Sequence, residues 1–173
     1  MKKNAKLAKQ IDETLAKVDS LTRHIQNVQD NCLLLGKRLI ENGEIDLGKK
    51  LIANGFIHDA SKFNGIEWDN LLLGKISEEE IDKARIKMAI YHHNHTNLHH
   101  PEAWGHIHNM PILYLVELLC DWKSRSEEFG TALLDYINDH ATKRFNFSKE
   151  DEVYKVLMKY YDLLCDKPFE KIV

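Results

Sequence analysis

The sequence predicts an all-α protein, a single-domain bundle of six or seven helices. Three observations predict it. Apolar residues recur at steps of three and four along most of the chain, no convincing run alternates in the manner of a strand, and Gly43 and Pro111 stand at the ends of periodic segments. The first strong segment carries Leu21, Ile25, Val28, Cys32, Leu35 and Leu39 on one stripe and ends at Gly43. A shorter helix from Ile45 to Ala53 is expected to stop at 54-NG-55. Residues 77-SEEEIDKARIKMAIYHH-93 open with a capping-box pattern, Ser77 followed three residues later by Glu80. Ile81, Ala84, Ile86, Met88, Ala89 and Ile90 are its expected apolar side.

Residues 94–109 mix Asn, His, Pro and Gly without a period and read as a long loop, a feature often functional in compact domains. Pro111 suits the start of a helix running to about Phe129. Two more amphipathic segments cover about Thr131 to Thr142 and Ser148 to Leu164. There is no internal repeat and no low-complexity linker, so 173 residues are expected to form one domain with a sizeable core.

The composition excludes several classes. With 43% hydrophobic and 29% charged residues the chain is globular rather than disordered. A net charge of -3 gives no global positive field for non-specific nucleic-acid binding. Cys32, Cys120 and Cys165 are scattered and odd in number, which argues against a disulfide framework or a thiolate zinc site and fits a reducing cytoplasm. The charged N-terminal stretch lacks the apolar core of a signal peptide. The best apolar run, 111-PILYLVELLC-120, is too short to span a bilayer and contains Glu117. A stand-alone chain or a homodimer is expected.

The histidines need explanation. There are 10, and seven lie between His92 and His108; histidine is the commonest metal ligand. His24 is at least half inward on the first stripe, three residues after Leu21 and four before Val28. Alone it reads as a hydrogen-bonded core histidine. The helix after Pro111 is apolar nearly all round, yet carries Glu117 and Asp121 four residues apart on one face. Such carboxylates are either in buried salt bridges, Asp121 with Arg125 for example, or bound to metal. In 55-GFIHDASKF-63, His58 and Asp59 can serve one ion only at a helix end or kinked turn. Otherwise Asp59 is a helix cap for the segment starting at Ala60. Phe56, Ile57 and Phe63 are expected to be the packing that holds the doublet still.

Together, His24, His58-Asp59, a histidine-rich loop and Asp121 offer a mixed imidazole and carboxylate donor set without thiolate. That favours Mn, Fe, Mg, Co or Ni over a structural zinc, with catalytic Zn still open. The order of these residues resembles the HD superfamily of metal-dependent phosphohydrolases, over about residues 20–127. Its signature is a histidine on an early helix, a His-Asp doublet and a distant aspartate, here matched by His24, His58-Asp59 and Asp121. The segment 93-HNHTNLHHPEAW-104 is similar to the H-x-x-x-N-x-H-H-P-E loop of a small branch of HD-like proteins, through His93, Asn97, His99, His100, Pro101 and Glu102. Glu117 and the 121-DW-122 pair also resemble that branch.

The resemblance implies one or two divalent ions per chain and hydrolysis of a phosphate ester or anhydride, with a nucleotide or related small phosphorylated molecule as substrate. It places His24, His58, Asp59 and Asp121 on the metal, and His93 with His99 or His100 on a second one. Asp59, Lys62 and Glu117 are the catalytic candidates. Lys62, Asn97, Arg23, Lys123 and Arg125 are the substrate-binding candidates, and Glu117 and Asn97 also suit orienting roles behind the imidazoles. His92, His95, His106 and His108 are expected to be solvated loop residues. Trp68, Trp104 and Trp122 could stack a base but suit a core equally. Two other readings use the same donors: a di-iron oxygenase of HD-like fold, and a non-catalytic metal- or ligand-binding module.

Overall fold

Long helices dominate the chain because its apolar residues are spaced to share one face each. A computed structural model describes residues 2–72 and 83–165. Helix α1 runs unbroken from Lys2 to Glu41, α2 from Ile45 to Ile57, α4 from Lys83 to Thr96, α5 from Ile112 to Phe129 and α8 from Glu152 to Cys165. Between them, α3 is a single turn (Gly65–Glu67) that continues as a π turn over Trp68–Leu72. Helices α6 (Leu133–Tyr136) and α7 (Thr142–Phe145) are joined by a second π turn over Ile137–Ala141 and form one continuous rod. No strand occurs among the described residues. The all-α bundle expected from the periodicity is therefore present.

The core follows the predicted stripe. Val28, Cys32, Leu35 and Leu39 of α1 are fully buried against Leu51 of α2, Leu118 and Leu119 of α5, and Leu157 and Tyr160 of α8. Leu21 is only half-buried. Gly43, at φ 88°, takes the left-handed conformation that ends α1. The helix then hands over to α2 through a three-residue turn.

Helix α2 does not stop at 54-NG-55. It runs on to Ile57, because Gly55 serves contact rather than a turn. A Cβ on Gly55 would lie 2.7 Å from Cys32 Cβ, and one on Gly48 would lie 2.5 Å from the Gly36 carbonyl oxygen. Glycines on α1 and α2 thus let the two backbones approach, and this burial outweighs the intrinsic helix cost of about 1 kcal/mol per glycine. The chain breaks instead at His58, and Asp59 adopts the left-handed conformation at φ 56°. Its side chain makes no cap hydrogen bond to the following 3-10 turn Ala60–Phe63, so the capping role is not what holds it there.

Two other expectations change. Phe56 and Ile57 are each 68% exposed and Phe63 is 44% exposed, so they do not pack around the doublet. Ala89 is buried on α4, but Met88 and Ile90 are exposed and Ala84 also faces out; Ala89 and His93 are the residues that α4 buries. The Ser77 capping box and Ile81 lie outside the described residues. The expected long loop is partly ordered as helix: α4 extends to Thr96, and 3-10 turns cover Pro101–Trp104 and Ile107–Asn109. No helix is long and apolar enough to cross a membrane, among the described residues.

Candidate metal centre

Four elements deliver the candidate ligands to one place. Helix α1 supplies His24, the break after α2 supplies His58 and Asp59, α4 and the turn after it supply His93, His99 and His100, and α5 supplies Asp121. Donor atoms of His24, His58 and Asp121 lie within 4.8 Å of one another, as do those of Asp59, His93, His99 and His100. Asp59 stands between the two groups. Its Oδ2 is 3.6 Å from His58 Nε2 and 3.9 Å from His24 Nε2, while its Oδ1 is 3.4 Å from His93 Nε2 and 3.5 Å from His99 Nε2. The left-handed kink at Asp59 is what turns the doublet so that both neighbours face inward.

Carboxylates behind the ring fix the imidazoles. His24 Nδ1 is 2.8 Å from Glu128 Oε1, His58 Nδ1 is 3.1 Å from Glu117 Oε1, and His93 Nδ1 is 2.9 Å from Glu67 Oε2. A carboxylate oxygen accepts, so the imidazole proton belongs on Nδ1 in each case. The Nε2 lone pair is then left pointing into the cluster. This is the arrangement by which outer carboxylates orient metal-binding histidines. Asn54 Nδ2 also donates to Glu117 at 3.0 Å, and Ser61 Oγ donates to Glu67 at 2.9 Å.

The inward atoms lack partners. His58 Nε2, Asp59 Oδ1, His99 Nε2 and Asp121 Oδ1 are buried and make no hydrogen bond. Asp121 Oδ1 approaches His24 Nε2 to 3.2 Å without bonding to it. Orphaned buried polar atoms are rare and costly, and finding them in both donor groups fits bound cations.

The charge state agrees. Burial drives the His99 imidazole down to about 4, aided by nearby His58, and drives His100 down to about 2, aided by His99 and His93. Burial, with Lys62 nearby, also lowers His93. These three rings stay neutral at pH 7 and are ready to ligate. His58 goes the other way: burial opposes its charge, but the Glu117 hydrogen bond and the nearby Asp59 and Asp121 outweigh it and raise the pKa. Burial works against ionised Asp59 and Asp121 too, yet Lys62 with the His58, His93 and His99 imidazoles holds Asp59, and the His24, His58 and His99 imidazoles hold Asp121, well below the usual carboxylate range.

The cluster floors a cavity of about 350 Å³ whose other lining includes Lys62, Arg125, Arg144, Trp122, Tyr136 and Phe145. Lys62 is ion-paired with Asp59 and Arg125 is 2.9 Å from Glu128. The remaining substrate-binding candidates sit elsewhere. Arg23 pairs with Asp19 and Lys123 with Glu127, and neither lines the cavity. Asn97 stands behind His93, donating to the His93 carbonyl at 2.9 Å and to Ser61 Oγ at 2.9 Å. Trp122 stacks on Phe145 with centroids 5.8 Å apart.

Several neighbours were not anticipated. Glu67 is buried and takes both His93 and His92, the latter at 2.8 Å, so His92 is not a free loop residue. Sequence offers no signal for Glu67 beyond an acid between Ile66 and Trp68. Ser124 and Glu128 flank His24, and these two were legible: Glu117, Asp121, Ser124 and Glu128 step by four, three and four along α5, a polar stripe on an apolar helix. Nothing in the sequence marks Arg144, which reaches the cavity from α7 and contacts Glu102 at 3.4 Å. His95 stacks on Tyr91, and His106 on His108, away from the cluster.

Fold and site together define an all-helical protein with a buried His/carboxylate cluster able to hold metal. The chain belongs to the DUF5662 family, a family of unknown function, whose model matches residues 13–163. That match takes in every candidate ligand named above. No curated protein and no solved structure matches the chain.

Proposed function

We propose that this chain is a metal-dependent phosphohydrolase of the HD type, acting on a phosphate ester or anhydride of a nucleotide or a related small molecule. The observation that carries this reading is the set of unpartnered buried atoms on His58, Asp59, His99 and Asp121, backed by carboxylates on the far side of the imidazoles. His24, His58 and Asp121 would hold one divalent ion, and His93, His99 and His100 a second, with Asp59 offering one oxygen to each. Ions so bound acidify water and polarise a phosphoryl oxygen, the chemistry that phosphate-ester hydrolysis needs at neutral pH.

The chain's own residues do the rest. Glu117 and Glu128 keep the Nδ1 protons of His58 and His24, so that neither ring turns its lone pair away. Lys62, Arg125 and Arg144, paired with Asp59, Glu128 and Glu102, line the cavity and are the cations that would meet the phosphate oxygens. Trp122, Tyr136 and Phe145 give an apolar wall for the organic part of the substrate.

The test is elemental analysis of purified protein, followed by phosphate release from a panel of mono-, cyclic and dinucleotides with each of Mn²⁺, Co²⁺, Fe²⁺, Ni²⁺, Mg²⁺ and Zn²⁺. Turnover that needs the ion and disappears in Asp59→Asn is expected. Two irons per chain with visible absorption, oxygen uptake and no phosphate release would replace this reading by a di-iron oxygenase. Tight metal binding without turnover on any substrate would leave a binding module.

A further inference from the structure

Helix α1 is 40 residues long, about 60 Å at 1.5 Å per residue, and only its second half is built into the bundle. Among its described side chains, none before His24 is buried. The apolar stripe nevertheless continues towards the N-terminus in the same register. Positions 7, 11, 14, 18, 21, 25, 28, 32, 35 and 39 alternate steps of four and three, and all but Thr14 are apolar. This 3.5-residue repeat is the seam of a coiled coil. From Ile25 to Leu39 the bundle covers it. Leu7 is 58% exposed and Ile11 51% exposed, and Leu15 beside them is 62% exposed.

Charge on the arm runs from one sign to the other. Residues 6–9 contain Lys6 and Lys9 and no acid, whereas residues 12–19 contain Asp12, Glu13 and Asp19 with one basic residue, Lys17. Two arms laid parallel would set lysines beside lysines. Two arms laid antiparallel, crossing at Ile11, set the lysine-rich end of each beside the acidic end of the other. The same crossing stacks Leu7 on Leu15 of the second copy and Ile11 on its own equivalent. A surface complementary to itself after a two-fold rotation is the mark of an isologous dimer.

We propose that residues 6–19 of α1 pair with the same segment of a second copy of this chain as an antiparallel two-helix coiled coil. The seam is short, so the dimer dissociates on dilution and weakens with salt as the end-to-end charge pairing is screened.

Sedimentation velocity on the full chain across a hundredfold concentration range tests this. Dimer is expected at the top of the range and monomer at the bottom. The exposed-face variant Ile11→Asp/Leu15→Asp should be monomeric throughout, with an unchanged melting temperature. Cysteine pairing then reads the direction, in a Cys165→Ser background that removes the exposed native thiol. Ile11→Cys alone should form an interchain disulfide under mild oxidation. Leu7→Cys should couple to Leu15→Cys when the two variants are mixed, and not to itself. Wild-type chain that stays monomeric overturns the proposal. So does self-coupling of Leu7→Cys, which reports a parallel pair. A monomer whose melting temperature falls in Ile11→Asp/Leu15→Asp shows instead that another part of the same chain covers the arm.

Discussion

The two halves of the candidate metal centre are built differently. His24 and Asp121 stand in the middle of long helices, and His24 and His58 each have a carboxylate bracing the far nitrogen. His99 and His100 stand on the turn beyond α4, packed ring against ring with centroids 4.3 Å apart, and His100 Nε2 meets His93 Nε2 at 2.9 Å. Of that second set only His93 has a hydrogen-bonded carboxylate, Glu67. The first half is positioned by helix packing and outer acids, the second by imidazoles crowding one another. An ion should therefore bind the first half more tightly, since its donors are aimed before it arrives.

The largest test of that comparison removes the residue both halves share. Asp59→Asn should abolish binding at both, because one oxygen faces each half. Metal per chain measured after dialysis should fall to background, a loss greater than the roughly 100-fold expected for an outer partner. Asn tolerates left-handed backbone, so circular dichroism should be unchanged; retention of one tightly held ion would break the bridging assignment.

Next in size is Glu117→Gln, which leaves His58 without its proton acceptor. Metal affinity at the first half should drop by about 10- to 100-fold, measured by titration calorimetry. The second half should lose less, since there Glu117 Oε1 stands 3.6 Å from His99 Nδ1 without a hydrogen bond. His100→Ala should do the reverse, lowering the stoichiometry by one ion while the tighter one stays.

A pH series sharpens the contrast further. Burial opposes a charge on His58, but the Glu117 hydrogen bond and the nearby Asp59 and Asp121 raise its pKa, so a proton competes with an ion there at higher pH than it does at His99 or His100. His99 and His100, lowered to about 4 and about 2, carry no proton to lose above pH 5. First-half affinity should therefore fall as pH drops through the His58 value, while second-half affinity holds until more acid conditions. Calorimetry in buffers of different ionisation enthalpy counts the protons released. An equal proton count for the two ions would undo the distinction. The smallest effects belong to Arg23→Ala and Lys123→Ala. Each breaks only a helix-surface ion pair, so stability should change by under about 0.5 kcal/mol and metal binding not at all.

Much of the tight half was legible, because helical spacing is a local property. His24 on an apolar stripe and Glu117 with Asp121 inside an apolar helix announce inward polar groups wherever the helices pack. Periodicity showed the loose half only as an excess of histidines, since the path after Thr96 has no period; it was the resemblance to the H-x-x-x-N-x-H-H-P-E loop that pointed to His93 with His99 or His100. Glu67 was invisible for the same reason, since its partners lie 25 and 26 residues away. The Asn-Gly pair at 54–55 misled because the same residue type serves turns and close helix contacts. Only the presence of Cys32 opposite Gly55 decides between them. Phe56 and Ile57 misled in another way: adjacency to a buried doublet does not bury a residue when the chain kinks between them.

The glycines on α1 and α2 also set a tolerance for the geometry of the donor cluster. His58 follows α2 directly, so its distance from His24 is fixed by how closely α2 lies on α1. Gly48 touches no ligand, yet a methyl group there would meet the Gly36 carbonyl oxygen at 2.5 Å and push the second helix outward. A lesion three turns from His58 would thus act as a spacer, detuning the donor cluster without replacing any of its residues.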